Sequence, residues 1–243
     1  MDSRETRAVQ IAASILNADF SRLDRVVHKM ERAGVDRLHL DVMDGHFVDN
    51  LTFGADVVAA FRRLTDLPLD VHLMISEPGR YIDRFIAAGP QTITFHVEAP
   101  ESDAQKDAAL DAIATAGMGA GLAVSPGTPI DALADRASRL DLIMVMTVEP
   151  GWGGQGFLDA EASKIRDARR LLSDAGRGGL VHVDGGVNHD TAAVVGGYGV
   201  DVGIVGSALF QRGRDASAEV DLVRERATKA RMAPEVAPSP SRG

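Results

Sequence analysis

The chain has 243 residues, of which 45% are hydrophobic, 25% charged and 5% aromatic, with no cysteine and a formal net charge of −9 at pH 7. A chain of this length can bury the core of one large domain or two small ones. The lack of cysteine excludes disulfides, thiolate metal ligands and a cysteine nucleophile. The negative charge argues against a nucleic-acid partner. No apolar run approaches the ~18 residues that span a bilayer, and the polar start differs from a secretory signal. We therefore expect a cytoplasmic protein with no membrane partner.

Eight short runs rich in β-branched residues alternate with longer stretches whose apolar residues recur three and four positions apart. The runs cover residues 9–16, 35–42, 69–74, 92–96, 120–124, 142–148, 180–183 and 200–205. The stretches between them have the period of amphipathic helices, and Gly34, Gly117 and Gly176 stand where three of these helices should end. The spacing of about 30 residues per unit is typical of βα pairs.

Eight such pairs in a chain of this length predict one α/β domain, a single (β/α)₈ TIM barrel, over residues 9–230. An open doubly wound sheet is the structural alternative, but no Gly-x-Gly-x-x-Gly follows the first strand. Residues 1–8 are polar, and we expect a flexible N-terminus there. The Pro- and Ser-rich composition of residues 231–243 predicts a disordered tail.

Polar side chains interrupt the predicted strands near their carboxyl ends, where barrel enzymes build active sites. Because strand residues two apart share a face, His39 should point the same way as Asp41, and His182 the same way as Asp184. A single buried histidine is more often a core residue, and a single aspartate often caps a helix or a turn. The argument for a site therefore depends on a coincidence. Two histidines and two aspartates from three strands should meet at one end of the barrel: His39, Asp41, His72 and Asp184.

Two imidazoles and two carboxylates make a mixed nitrogen and oxygen ligand set that suits Zn²⁺, Fe²⁺, Mn²⁺ or Co²⁺. The two carboxylates could also exchange protons on opposite faces of one carbon and so invert a stereocentre. A carboxylate alone is too weak a base to remove a proton next to a ketone, because the gap between the two pKa values corresponds to about 20 kcal/mol. A bound cation would stabilise the enediolate that this step forms. Ser14 lies near the end of the first strand. Met43, Met74 and Met146 would ordinarily be core residues, but here they are expected to give a water-poor lining.

Three glycine clusters stand on the loops after the sixth, seventh and eighth strands. They contain Gly153 and Gly154, Gly185 and Gly186, and Gly206 with Ser207. Glycine lets backbone amides approach an anion closely, and barrels often bind phosphate after strands seven and eight. One Gly-Gly pair alone would more simply be a tight turn, but three clusters on consecutive loops predict a phosphate site. None of them contains Arg or Lys, so backbone amides are expected to bind the phosphate.

In order and spacing these features resemble the ribulose-phosphate 3-epimerase family, from about residue 11 to residue 210. The matching motifs are SIL (14–16), ADF (18–20), HLDVMDGHFV (39–48), DVHLM (70–74), MTVEPG (146–151), DGGV (184–187) and GSALF (206–210). The resemblance implies an isomerase that converts D-ribulose 5-phosphate to D-xylulose 5-phosphate in the pentose phosphate pathway. It also implies assembly into a symmetric homo-oligomer.

The resemblance further implies roles for particular residues. One divalent metal ion, with Zn²⁺ as the first expectation, would be held by His39, Asp41, His72 and Asp184. Asp41 and Asp184 would be the acid/base pair for the two faces of C3, acting through a metal-stabilised enediolate. The substrate would contact Ser14, His72, Met43, Met74, Met146, Gly153, Gly154, Gly185, Gly186, Gly206 and Ser207.

The chain departs from the usual family pattern at four positions. Asp49 and Ala55 stand where prolines are usual, Ser125 replaces an asparagine, and Trp152 replaces a phenylalanine. None of these changes removes a catalytic group. Asp49 adds a charge to a loop near the site, so the resemblance implies the reaction type more strongly than the identity of the sugar.

Three other functions are kept open. The first is 3-epimerisation of another ketose phosphate, such as allulose 6-phosphate or a heptulose phosphate. The second is the chemistry of metal-free phosphate-binding decarboxylase barrels, which calls for Asp-x-Lys on the third strand, where this chain has Asp70-Val71-His72. The third is a non-enzymatic sugar-phosphate-binding protein, which would not need both Asp41 and Asp184.

Overall fold

The computed structural model describes residues 7–211 and 213–233 of the chain. Eight parallel strands close into a barrel in chain order, and this confirms the predicted (β/α)₈ fold. The strands are β1 (Gln10–Ser14), β2 (Arg37–Met43), β3 (Leu69–Met74), β4 (Thr92–His96), β5 (Gly119–Val124), β6 (Leu142–Met146), β7 (Leu180–Asp184) and β8 (Val202–Val205).

The helices surround the barrel. The α-helices are α1 (Leu23–Ala33), α2 (Ala55–Leu64), α3 (Pro78–Ala87), α4 (Asp103–Thr115), α5 (Ser163–Asp174), α6 (Ala192–Gly197), α7 (Ser207–Phe210) and α8 (Ala216–Arg231). Between β5 and β6 the connection is a 3₁₀ helix, Ile130–Arg139. The predicted helix end at Gly34 is confirmed, because Gly34 caps α1 in the left-handed conformation with φ 76°.

The first strand is shorter than the predicted run of residues 9–16, and the cause is local. The side chain of Ser14 accepts a hydrogen bond from the amide of Leu16 and so caps a short 3₁₀ helix, Ile15–Asn17. The chain therefore turns immediately after Ser14, which becomes the last residue of β1. This turn leaves the Ser14 side chain at the carboxyl end of the barrel.

Alternation along the strands separates an outer core from the barrel interior. On β2, Leu38, Leu40 and Val42 belong to the large core between the strands and the helices. A second cluster fills the interior below the site and contains Ala12, Ala123, Leu142, Met144, Val202 and Ile204. Because these apolar side chains fill the barrel interior, it forms a packed core and not a channel. The space for a ligand lies above this core.

The chain ends are only partly described. Of the predicted flexible residues 1–8, Arg7 and Ala8 are described, and of the predicted tail 231–243, residues 231–233 are described; the remainder lies outside the described residues. Helix α8 ends at Arg231, whose guanidinium donates to the carbonyl of Val200. None of the helices in the described ranges is long and apolar enough to cross a membrane.

Candidate active site

Four predicted ligands converge at the carboxyl end of the barrel. His39, Asp41, His72 and Asp184 each offer one atom, and these atoms all lie within 4.8 Å of one another. Strand β2 carries His39 and Asp41, and the register between β2 and β3 places Asp41 directly beside His72. The histidines and Asp41 are buried, whereas Asp184 is partly open to the cavity above. The structure therefore brings together residues up to 145 positions apart in the sequence.

One nitrogen of each histidine points between the two carboxylates. Nδ1 of His72 lies 3.1 Å from Oδ1 of Asp41 and 3.6 Å from Oδ2 of Asp184. Nε2 of His39 lies 3.3 Å and 3.8 Å from the same two oxygens. Within the described part of the chain, Nε2 of His39 has no hydrogen-bond partner although it is buried. Two nitrogens and two carboxylate oxygens at these separations fit a divalent cation such as Zn²⁺, Fe²⁺, Mn²⁺ or Co²⁺.

The electrostatics of the cluster favour a cation at its centre. Burial raises the pKa of Asp41, but the neighbouring His39 and His72 outweigh burial and hold that pKa below its usual range. Burial lowers the pKa of His72, but hydrogen bonds to Asp184 and Asp41 outweigh it and raise the pKa to about 9. The pKa of His39 is also raised, because the charge of Asp41 outweighs burial. The negative carboxylates of Asp41 and Asp184 thus favour positive charge in the space between them and the two imidazole rings.

Hydrogen bonds fix the orientation of the ligands. The hydroxyl of Ser14 donates to Oδ2 of Asp41 at 2.7 Å, so the other oxygen of that carboxylate faces the histidines. The hydroxyl of Thr52 donates to the backbone carbonyl of Asp41 at 2.7 Å. On the far side of His72, Nε2 lies 2.9 Å from Nε2 of His96. Sequence analysis missed Thr52 and His96. His96 carried a usable signal, because it is an inward-facing polar residue at the carboxyl end of β4, as the other site residues are on their strands.

A cavity of about 210 Å³ opens directly above the cluster. Its lining includes nearly all the residues expected to contact a substrate: Ser14, Met43, Met74, Met146, Gly153, Gly154, Gly185, Gly186, Gly206 and Ser207. Asp41 and Asp184 also reach it, whereas His39 and His72 lie behind them, outside the lining. The three methionines are almost fully buried and line the cavity, so they form an apolar wall on it.

At two places the glycine loops pack too closely against neighbouring residues for a side chain. At Gly186, φ is +65°, and a Cβ atom would lie 2.6 Å from the backbone nitrogen of Phe157. At Gly153, a Cβ atom would lie 2.4 Å from Oδ1 of Asn17. At these places the loops after β6 and β7 therefore present only backbone to the cavity. A surface of backbone amide groups of this kind can bind a phosphate.

Several lining residues were not predicted from the sequence. Arg214, in the segment before α8, also lines the cavity, whereas the glycine clusters themselves contain no Arg or Lys. Its Nη1 lies 3.9 Å from Glu219. His189 also lines the cavity, and its Nδ1 lies 2.8 Å from Oε2 of the same glutamate. These residues follow the glycine clusters in the sequence without a recognisable motif, and only the folding of the loops shows that they face the cavity.

His182 shares a strand face with Asp184, as expected, but lies deeper in the barrel. It is fully buried, and Nδ1 is 3.9 Å from Oδ2 of Asp70. Burial lowers its pKa to about 3, so the ring is neutral. His182 therefore belongs to the interior beneath the site and not to the ligand cluster.

Of the four positions that depart from the family pattern, Trp152 lines the cavity and the other three do not. Next to Asp49, the side-chain amide of Asn50 donates to the carbonyl of Gly151 at 2.8 Å and joins the loop after β2 to the loop after β6. Trp152 lines the cavity and is 58% exposed. Ser125 does not line it; its backbone amide donates to Glu98. Ala55 begins helix α2.

Comparison with known proteins agrees with these features. The model of the ribulose-phosphate 3 epimerase family matches residues 10–210 of the chain. A ribulose-phosphate 3-epimerase of Rhodobacter capsulatus is 44% identical over 214 residues, which are 88% of this chain and 91% of that protein. The enzyme of the same name from Bacillus subtilis is 42% identical over 83% of this chain and 92% of its own length. A chloroplastic ribulose-5-phosphate-3-epimerase of Arabidopsis thaliana is 41% identical over 82% of this chain and 71% of its own.

Solved structures share the fold at lower sequence identity. The 3-hexulose-6-phosphate synthase of Salmonella typhimurium has a TM-score of 0.67 at 16% identity, over 91% of this chain and all of that one. A 3-keto-L-gulonate-6-phosphate decarboxylase of Vibrio cholerae has a TM-score of 0.68 at 14% identity, over 92% and 99% of the two chains. At such low identity the similarity shows a common barrel and says nothing of the reaction.

Proposed function

The chain belongs to the ribulose-phosphate 3-epimerase family, a family of enzymes, and we propose that it interconverts D-ribulose 5-phosphate and D-xylulose 5-phosphate. The observation that carries this proposal is the pair of carboxylates, Asp41 and Asp184, which reach one cavity from different sides. Their strands, β2 and β7, are separated by two strands on one side of the barrel and by four on the other. A sugar carbon between the two groups can lose a proton to one and receive a proton from the other on its opposite face.

Asp41 and Asp184 are proposed as the acid and the base, and they exchange roles when the reaction runs backwards. His39 and His72 hold the pKa of Asp41 below its usual range, so its carboxylate is ionised at neutral pH. The wall formed by Met43, Met74 and Met146 keeps water from the reacting carbon, so that a proton removed from C3 is returned by an aspartate and not by solvent.

The residues present also fit a divalent cation, held by His39, Asp41, His72 and Asp184, with Zn²⁺ as the first candidate. Nε2 of His39 supports this part of the proposal, because it is buried and makes no hydrogen bond, yet lies 3.3 and 3.8 Å from carboxylate oxygens of Asp41 and Asp184. When bound, such a cation would act as a Lewis acid and stabilise the negative charge that develops on the sugar oxygens.

The phosphate group is proposed to bind at the glycine loops. Backbone amides at Gly153, Gly154, Gly185, Gly186 and Gly206, with the hydroxyl of Ser207, would donate to its oxygens. Arg214 at the cavity adds a positive charge that would attract a dianionic substrate to a chain whose net charge is −9. Family resemblance alone supports three further parts of the proposal: a homo-oligomer, a cytoplasmic location and a place in the pentose phosphate pathway.

Steady-state assays test the reaction and its substrate together. Purified protein with its metal content measured should convert D-ribulose 5-phosphate faster than allulose 6-phosphate or sedoheptulose 7-phosphate. A reversed order would favour the specialised epimerase, for which the loop changes at Asp49 and Trp152 are the relevant observation. If C3 of ribulose 5-phosphate does not exchange its proton with deuterated water, the protein binds sugar phosphates without turning them over, and the proposed reaction is wrong.

A further inference from the structure

A chain of hydrogen-bonded side chains runs from His72 away from the cavity. Nε2 of His72 lies 2.9 Å from Nε2 of His96, and Nδ1 of His96 lies 3.1 Å from Oε2 of Glu98. The planes of the two imidazole rings differ by 24°, and their centroids are 5.0 Å apart. The other oxygen of Glu98 accepts a 2.7 Å hydrogen bond from the backbone amide of Ser125. Both histidines are fully buried.

The carboxylate at the end of this chain determines the direction of every hydrogen bond in it. An ionised carboxylate only accepts, and burial, which raises the pKa of Glu98, is outweighed by the hydrogen bonds from His96 and Ser125, so that the pKa is about 2. The hydroxyl of Ser125 also lies 3.2 Å from Nδ1 of His96, and a hydroxyl oxygen can accept from the same N–H group. His96 then carries its proton on Nδ1, which leaves its Nε2 without one. The hydrogen bond between the two Nε2 atoms needs one proton, and because Nε2 of His96 has none, Nε2 of His72 is the donor. Nδ1 of His72 is then the nitrogen that can present a lone pair.

We infer that His96 and Glu98 are positioning residues: when a cation occupies the site, they hold His72 in the tautomer whose Nδ1 lone pair is directed between Asp41 and Asp184. This inference rests on the proposed cation site and assigns a function to two residues outside it. Imidazole binds a metal through a bare nitrogen, and a partner on the other nitrogen selects the tautomer and the ring orientation. Without that partner, a proton on Nδ1 of His72 would compete with the cation for Asp41.

The two histidine ligands differ in this respect. Nδ1 of His39, the nitrogen that faces away from the carboxylates, has no hydrogen-bond partner among the described residues. His72, by contrast, is held through His96, Glu98 and the main chain of the loop after β5. The ring of Phe47 also packs against His96, with centroids 4.9 Å apart. The orientation of His72 is therefore built into the fold across three consecutive strands, β3, β4 and the end of β5.

Substitutions that break this series of hydrogen-bonded side chains should weaken the binding of the cation itself. Glu98→Gln leaves one acceptor oxygen for the two donors, Ser125 and His96. His96→Leu removes the acceptor for His72, whereas His96→Gln can place an amide oxygen near the position of Nε2 and should restore part of the affinity. Glu101→Gln is the matched control, because Glu101 lies in the same loop and accepts from the amide of Gly79, outside the chain of histidines.

The measurement is the Zn²⁺ affinity of each purified protein, by competition with a chromophoric chelator, with ¹⁵N NMR of the histidine rings to read the tautomer of His72. We expect Glu98→Gln and His96→Leu to bind Zn²⁺ about 10- to 100-fold more weakly than the parent chain, and Glu101→Gln to bind it equally. His72 of the zinc-loaded parent should carry its proton on Nε2.

The outcomes separate this inference from the proposed function. If the parent chain binds Zn²⁺ and epimerises, but Glu98→Gln and both His96 variants keep the parent affinity, the positioning role is wrong and the proposed function stands. The positioning role is also wrong, and the proposed function again stands, if His72 of the zinc-loaded parent carries its proton on Nδ1. If the parent epimerises but binds no divalent cation, the proposed cation site and the positioning role are both wrong, while the proposed reaction stands. Circular dichroism checks folding, and the partly exposed Glu98 provides the test should His96→Leu not fold.

Discussion

The hydroxyl of Ser14 donates to Oδ2 of Asp41 at 2.7 Å, while Oδ1 of the same carboxylate lies 3.1 Å from Nδ1 of His72. The two oxygens of Asp41 therefore have different surroundings. One faces the histidines and the proposed cation, and the other is held by a hydroxyl group that lines the cavity. This division would let a single carboxylate bind a cation and exchange a proton with a substrate.

Ser14→Ala tests the division. The variant loses one hydrogen bond to a charged group, an interaction of about 1.5–3 kcal/mol. We expect kcat to fall about 10- to 100-fold, with KM and metal content close to those of the parent chain, because Oδ1 still faces the histidines. Steady-state kinetics with metal analysis check this expectation. A loss of bound metal with normal kcat per metal ion would show that Ser14 acts only on the ligand geometry.

Asp184→Asn tests the separate roles of the two aspartates. Epimerisation should be abolished, because one face of C3 loses its proton donor or acceptor. The epimer that presents its C3 proton to Asp41 should still exchange that proton slowly with deuterated water, which proton NMR can follow. Metal content has to be measured, since Asp184 also belongs to the ligand cluster. Complete loss of exchange from both epimers in a metal-loaded variant would contradict the assignment of two independent groups.

Ser207→Ala tests the phosphate site. A bound phosphate is held in the same way in the ground state and in the transition state, so removal of the hydroxyl should raise KM about 10-fold and change kcat little. Inorganic phosphate should also inhibit the variant more weakly than the parent. If KM and phosphate inhibition stay unchanged, Ser207 does not contact the phosphate.

Gly186→Ala tests the close approach of the glycine loops. The added Cβ would meet the backbone of Phe157 at 2.6 Å, at a residue whose φ is +65°. We expect a loss of about 2–3 kcal/mol in the free energy of unfolding, together with weaker substrate binding. Gly197→Ala is the control, because a Cβ there meets nothing within 4 Å and Gly197 is helical. Urea unfolding of both variants gives the comparison, and equal stabilities would contradict the predicted clash.

The lowered pKa of Glu98 should make the free energy of unfolding depend on pH. Its pKa is about 2 in the folded chain against 4.5 for an ordinary glutamate. Because the folded state binds the proton less tightly, the stabilisation is complete above pH 4.5 and is lost as the pH falls towards 2. Between pH 6 and pH 3.5 the parent chain should lose about 1 kcal/mol more than Glu98→Gln, after allowance for the partial exposure of Glu98. Urea unfolding in the presence of a chelator measures this, and parallel losses in the two proteins would contradict it.

Sequence alone was sufficient for the barrel and for the central cluster of two histidines and two aspartates. The strand and helix periods are local properties, and eight repeats in one short chain admit few arrangements, so the closed parallel barrel could be predicted. His39, Asp41, His72 and Asp184 were identifiable because a polar residue in a buried strand is costly unless it has a function or a partner. The alternation along each strand then determined which way these side chains point.

Tertiary structure alone decided which residues support that cluster. The strand position of His96 was a signal in the sequence, but its contact with His72 follows only from the pairing of β4 with β3. Arg214 belongs to no motif, and only the fold shows that it lines the cavity. Hydrogen-bond partners and loop contacts are set by distances between chain segments far apart in sequence. Periodicity carries no information about those distances, because it describes only the nearest few residues along the chain.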